Sequence, residues 1–104
     1  MPSADDKSVA GRLAALGHPA RIAIIRHLAA RDACCCKDVV DRMDLAQSTV
    51  SQHLKVLVGA GLVHYSPHRQ SSVYTLDRQA LAQLSAALGG LVVNCCDTPA
   101  TDPG

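Results

Sequence analysis

The chain has 104 residues, enough for one domain; 48% of them are hydrophobic, yet there is no Phe or Trp and the aromatics are two tyrosines, Tyr65 and Tyr74. A core of Leu, Ile, Val, Ala and Met in so short a chain buries little area per residue, so further burial between subunits is expected. A formal charge of +1 excludes an indiscriminate polycation and requires any nucleic-acid affinity to come from a local patch, for which Lys37, Arg42, Lys55, Arg69 and Arg78 are candidates.

No apolar run reaches the roughly eighteen residues needed to span a membrane, and MPSADDKSV carries no signal-peptide pattern, so a cytoplasmic location is expected. Residues 1–6 are polar and are expected to be disordered. From Lys7, the spacing of Val9, Leu13 and Leu16 predicts an amphipathic helix ending at Gly17. Pro19 suits the first turn of a second helix, with Ile22, Ile25 and Leu28 on its buried face and Arg21, Arg26 and Arg31 outside. His18 and His27 read as capping or surface residues.

Five cysteines fall in two groups, Cys34-Cys35-Cys36 and Cys95-Cys96. In a reducing compartment such clusters suit a soft ion or a redox sensor better than structural disulfides. The segment Cys34 to Met43 places Val39, Val40 and Met43 at helical spacing and reads as a short helix with its cysteines at the N-terminal end. The helix dipole and Lys37 are expected to favour thiolates there.

After a turn at Asp44 to Ala46 comes LAQSTVSQHLKVLVGAGL, Leu45 to Leu62. From Gln47 a helical period sets Val50, Leu54, Leu57 and Val58 on one side and Ser48, Ser51, Gln52 and Lys55 on the other. Hydroxyls and amides, rather than the Glu and Lys of a merely solvated face, suit base edges and phosphates in a major groove. The candidate DNA contacts are therefore Ser48, Thr49, Ser51, Gln52, His53 and Lys55, with Gln47 at the helix start offering its backbone N–H to a phosphate.

Gly59 and Gly61 stop the helix. Two short strands follow, Leu62 to Ser66 and Ser72 to Leu76, around a turn with Pro67, His68, Arg69 and Gln70. His68, Arg69 and Gln70 at its tip are further candidate DNA contacts. A helix-turn-helix followed by such a hairpin is the winged form of the motif. Last, Leu81, Leu84, Leu88, Leu91 and Cys95 repeat at three and four residues, with small Ala82, Ala86, Ala87, Gly89 and Gly90 around them. This is the seam of two packed helices, either one more core helix or a dimer interface. Residues 97–104 read as a flexible tail.

The string AQSTVSQHLKVLVGAGLV, with GHPARIAIIRHL upstream and a wing ending in VYTL, resembles the ArsR/SmtB family of small bacterial metal-responsive repressors over roughly residues 8–96. The resemblance implies a mainly α winged helix-turn-helix of about five helices and two strands over residues 7–96, a homodimer through its terminal helices, and double-stranded operator DNA released when an inducer binds.

Family members that bind zinc-type ions on the last helix use Asp and His there, and between Arg78 and Cys96 this chain has neither. Asn94-Cys95-Cys96 instead resembles the thiol-pair ending of some arsenite-responsive members. Trivalent arsenic and antimony are soft, pyramidal centres that take two or three thiolates, and binding is pH-dependent because the thiols must lose protons. Against the family's Cys-Val-Cys-Asp-Leu-Cys pattern, aligned from the HL of the recognition helix, the three cysteine positions fall on Cys35, Lys37 and Val40, so the chain keeps one ligand of that site at most. The candidate ligands are Cys95 and Cys96, with Cys35, or its neighbours Cys34 and Cys36, for a third sulfur. The plain alternative for the triplet is small buried hydrophobes.

The expected function is a repressor induced by As(III) or Sb(III), with no organic cofactor. The same cysteines also suit a thiol redox or persulfide-responsive repressor, and, in another class, a cytosolic soft-metal binding protein. An enzyme is not expected: there is no paired-carboxylate cleft, no glycine-rich phosphate loop and no nucleophile with a base and an orienting partner.

Overall fold

Helix α1 (Ala4–Leu16) begins earlier than its apolar repeat suggests, because Ser3 caps it. The Ser3 hydroxyl accepts the Asp6 N–H at 3.1 Å and the Asp6 carboxylate accepts the Ser3 N–H at 3.1 Å, satisfying two helix-end donors reciprocally. Residues 4–6, expected to be disordered, are therefore helical. The computed structural model describes residues 3–31, 33–69 and 71–95, without the side chains of His68, Ser71, Asn94 and Cys95.

Helix α2 (Pro19–Ala29) is capped by His18, whose Nδ1 accepts the Ala20 N–H at 3.0 Å. Its buried residues are Ile24 and Leu28, one turn apart, while Ile22 is 44% exposed. Of the expected face only Ile22 was misplaced: it lies two positions from Ile24, about 200° round the helix. Ile25 is partly buried against the core.

The cysteine triplet is not all helix. Cys34 and Cys35 form a short strand, β1, paired antiparallel opposite Tyr74 and Val73, and α3 (Cys36–Arg42) starts one residue later. Cys35 is its N-cap, with its N–H donated to the Asp38 carboxylate at 3.4 Å. Helix α4 (Gln47–Gly59) follows and ends where Gly61 takes a positive φ of 77°, which lets the Leu62 N–H turn back to the Leu57 carbonyl.

Strands β2 (Val63–His68) and β3 (Ser71–Leu76) form the wing, and the sheet has three strands in the order β1-β3-β2 rather than the two expected. His68 pairs with Ser71, leaving Arg69 and Gln70 between the strands, and Arg69 adopts φ 60° as a tight hairpin requires. Pro67 is tolerated inside β2 because β2 is an edge strand.

Helix α5 (Arg78–Cys95) is capped by Asp77, whose carboxylate accepts the Ala80 N–H at 2.9 Å. The core gathers Ile24, Leu28, Cys34, Val39, Val50, Leu54, Leu57, Leu62 and Val63, and α5 contributes Ala80. Toward its C-terminus α5 leaves the core, with Leu88, Leu91, Val92 and Val93 exposed. No helix among the described residues is long and apolar enough to cross a membrane.

Candidate nucleic-acid interface and cysteine cluster

Burying Val50, Leu54 and Leu57 fixes the rotation of α4 about its axis and turns Gln47, Ser48, Thr49, Ser51, Gln52 and Lys55 outward. No acidic residue lies on this helix. His53, expected with this group, is set apart: it is partly buried, Arg21 Nε donates to its Nδ1 at 3.1 Å, and its ring lies 4.5 Å from that of His18.

At the wing tip Arg69 is exposed, whereas Gln70 and the side chain of His68 fall outside the described residues. Of the other cations expected in a patch, Lys37 and Arg42 are exposed on α3. Arg78 instead donates to the Ala29 carbonyl at 3.0 Å, capping the end of α2.

Between α4 and the wing lies a cleft of about 360 Å³ lined by Ser51, Lys55, Val58, Tyr65, Ser72 and Tyr74. Tyr65 and Tyr74 stand opposite each other in the strand register, so their rings share a face at 5.5 Å, and Ser72 Oγ donates to Tyr65 Oη at 3.4 Å. Tyr65 is 50% exposed and joins the candidate interface without having been expected there. Its signal in the sequence was that both aromatics lie in the wing, but only the register shows that they meet.

The cysteine triplet is divided by its backbone. Cys34 is 2% exposed and belongs to the core; burial pushes its thiol up, offset in part by Arg31. Burial and the neighbouring Cys35 likewise push the Cys36 thiol up. The thiolate-favouring helix end expected for these two is therefore overridden by desolvation, because in β1 the chain tucks the first sulfur inward before the helix begins. Cys34, Cys35 and Cys36 are free thiols. Among the described residues no group of three or more His, Cys, Asp or Glu side chains is placed to hold a metal ion. The side chain of Cys95, and Cys96 altogether, lie outside the described residues.

A short helix packed behind a carboxylate-free polar helix, with a hairpin beside it, defines a winged helix-turn-helix protein. A family model described as a helix-turn-helix domain matches residues 16–65. The HTH-type transcriptional repressor SmtB of Mycobacterium tuberculosis is 38% identical over 72 residues, which are 69% of this chain and 53% of that protein. The chain thus spans about half the length of this curated relative.

A crystal structure described as a "Possible transcriptional regulator for arsenical resistance" is 30% identical, with a TM-score of 0.70 over 77% of this chain and 82% of that one. An ArsR-like transcriptional regulator from Rhodococcus sp. RHA1 shares the fold, with a TM-score of 0.78 over 96% of this chain and 100% of that one at 16% identity. The chain belongs to the ArsR/SmtB family of helix-turn-helix transcriptional regulators, a family of regulators and not of enzymes.

Proposed function

We propose that the protein is a homodimeric repressor that reads double-stranded operator DNA with α4 and its wing, and that trivalent arsenic or antimony bound through Cys95 and Cys96 releases it. The observation that carries the DNA reading is the outer face of α4, where Ser48, Thr49, Ser51, Gln52 and Lys55 are exposed together with no carboxylate on the helix to repel phosphate. Such a face suits a major groove, with the Gln47 N–H and Arg69 on flanking phosphates. Two copies related by a two-fold axis present their α4 helices about one helical turn apart.

The dimer is supported by the apolar surface left on the terminal helices: Leu13 on α1 and Leu88, Leu91, Val92 and Val93 on α5 are all exposed. A hollow between the helices is lined by Val9, Ala10, Leu13, Ala87 and Leu91, with Asp5 and Asp6 of the first turn of α1 beside them. A second copy would seal this surface.

The arsenic reading is supported by the vicinal Cys95-Cys96 pair and by the likeness to a regulator described for arsenical resistance. Of the triplet, Cys35 and Cys36 suit a third ligand better than Cys34, because both are partly exposed while Cys34 is sealed in the core. To release DNA, the ion must bind the DNA-free conformation more tightly, with a coupling typically on the order of 1–3 kcal/mol.

The test is fluorescence anisotropy on a duplex selected by the protein from a random-sequence library, under reducing conditions, with parallel titrations of arsenite, antimonite, zinc, cadmium and an oxidant. Arsenite and antimonite should release the duplex and zinc should not. A Cys95→Ser, Cys96→Ser variant should bind the duplex as before but keep it in arsenite; normal release by that variant sinks the assignment. Release by the oxidant alone moves the same thiols to a redox switch, and soft-metal binding without salt-sensitive duplex binding makes the protein a metal binder.

A further inference from the structure

Behind the reading face, one group of side chains ties α4 to the first two helices. Arg21, in the first turn of α2, donates through Nη1 to the Ala14 and Ala15 carbonyls at the end of α1, at 3.3 and 3.2 Å. Through Nε it donates to His53 Nδ1 at 3.1 Å. The His53 ring packs on His18 at 4.5 Å with the planes tilted by 50°. His18 in turn caps α2 by accepting the Ala20 N–H at Nδ1. A single guanidinium and two imidazoles thus join the end of α1, the start of α2 and the middle of α4.

Both rings accept a hydrogen bond at Nδ1, which requires them neutral with the proton on Nε2. Protonating Nδ1 removes the lone pair that each bond uses, so that N–H faces N–H at Arg21 and again at the Ala20 amide. It also sets new positive charge beside a guanidinium. The charged or titratable groups acting on His53 are His18 and Arg21, both from the α2 end, with no carboxylate among them. From α1 the Ala14 and Ala15 carbonyls bond to Arg21, and Lys7 and Arg12 line the same hollow as Arg21 and Val56, adding positive and no negative charge there; one turn either way along α4 stand the uncharged Thr49, Val50, Val56 and Leu57. Burial, His18 and Arg21 accordingly hold the His53 pKa below the ordinary histidine value of 6.5.

We propose that Arg21 and His18 are positioning residues that hold the setting of α4 through a neutral His53, and that protonation of His53 withdraws this hold as the solution turns acidic. Its consequence for operator binding rests on α4 being the DNA-reading helix; the coupling of α4 to the imidazoles does not.

The experiment is an NMR titration of the full chain in the absence of DNA, from about pH 7.5 to about 5, following the histidine ring protons and the α4 backbone amides. His53 should titrate below the ordinary value, and the shifts and hydrogen exchange of the residue 50–57 amides should change with the same midpoint. His53→Gln offers Arg21 an acceptor that does not titrate and should abolish this response. Arg21→Met, which removes both the positive charge and the donor, should raise the His53 midpoint toward the ordinary value and loosen α4 already at neutral pH. Silent α4 amides while His53 titrates, or an unchanged response in His53→Gln, overturns the proposal. Should His53→Gln fail to fold, the wild-type titration decides alone: α4 amides that do not follow the His53 midpoint overturn the proposal.

In parallel, wild-type affinity for the selected duplex should fall by about tenfold or more across the same span, the equivalent of one unit of pKa, and His53→Gln should not show this fall. A protein whose α4 responds to pH but which binds no duplex at any pH overturns the operator reading and leaves the positioning role standing. Duplex binding without the α4 response does the reverse.

Discussion

Gln52 and Lys55 share the outer face of α4 but differ in what each can do at a groove. An amide pairs with a particular base edge, whereas an ammonium on a flexible stem meets phosphate as a point charge. Gln52→Ala should therefore cost about 1–3 kcal/mol on the preferred duplex and relax preference at one position, while Lys55→Ala should weaken all duplexes alike and lower the salt slope by about one. Competition anisotropy at several salt concentrations separates the two outcomes.

Cys34 poses the opposite case, a thiol that serves the core. It belongs to the buried apolar cluster that includes Leu28 and Val39, so Cys34→Ser buries a hydroxyl in place of a weakly polar sulfur and should cost about 1–3 kcal/mol. Urea unfolding reads that loss, and the arsenite response of the folded variant should survive; its disappearance would make Cys34 a ligand.

At the scale of elements, α2 and α4 each carry an imidazole whose neutral form folding favours. The His27 pKa is lowered by burial, then by Arg31 and Arg42, against an opposing pull from Asp38, and that of His53 is lowered as described above. A histidine whose folded pKa lies below its unfolded value binds fewer protons when folded, so unfolding takes up protons. Its contribution to stability is complete above the ordinary value of 6.5 and is lost as pH falls toward the lowered folded value. Thermal unfolding should therefore show the midpoint dropping below about pH 6.5, with a slope no steeper than about 1.4 kcal/mol per pH unit for each proton taken up. Asp77 acts in the same sense over a more acidic range, held charged rather than neutral: bonds to the Ala80 N–H and to His64, the latter at 2.7 Å, keep its pKa down, so its cap on α5 persists until strongly acidic solution.

For the whole molecule, the terminal helices show that one copy leaves its apolar surface uncovered. Leu91 is 56% exposed and Val93 68% exposed on a helix whose earlier turns bury Ala80 and Leu84. A charge at Leu91 should therefore cost the single chain little and the dimer much. Leu91→Glu should sediment as a folded monomer, with an unchanged far-ultraviolet spectrum, and should lose at least about a hundredfold in duplex affinity, because two half-sites can no longer be held at once. A dimeric Leu91→Glu variant would place the interface elsewhere.

Much of this architecture can be read from local chemistry. The bounds of α4 and the place of the wing follow from a helical period ended by Gly61 and from turn residues between two short runs, signals that need no distant partner. The polar face of α4 is legible for the same reason, since burying Val50, Leu54 and Leu57 leaves Ser48, Ser51, Gln52 and Lys55 only one direction to point. What needed tertiary structure was every choice among faces or partners. Periodicity cannot say that Ile24 rather than Ile22 meets the core, because both suit an amphipathic helix until α4 and β3 are in place. Nor can it say that Cys34 and Cys35 pair with Tyr74 and Val73, since β1 exists only because a strand distant in sequence arrives beside it. His53 belongs to the same group: its position on α4 is local, but Arg21 and His18, brought in by the packing of α2, decide that it faces inward.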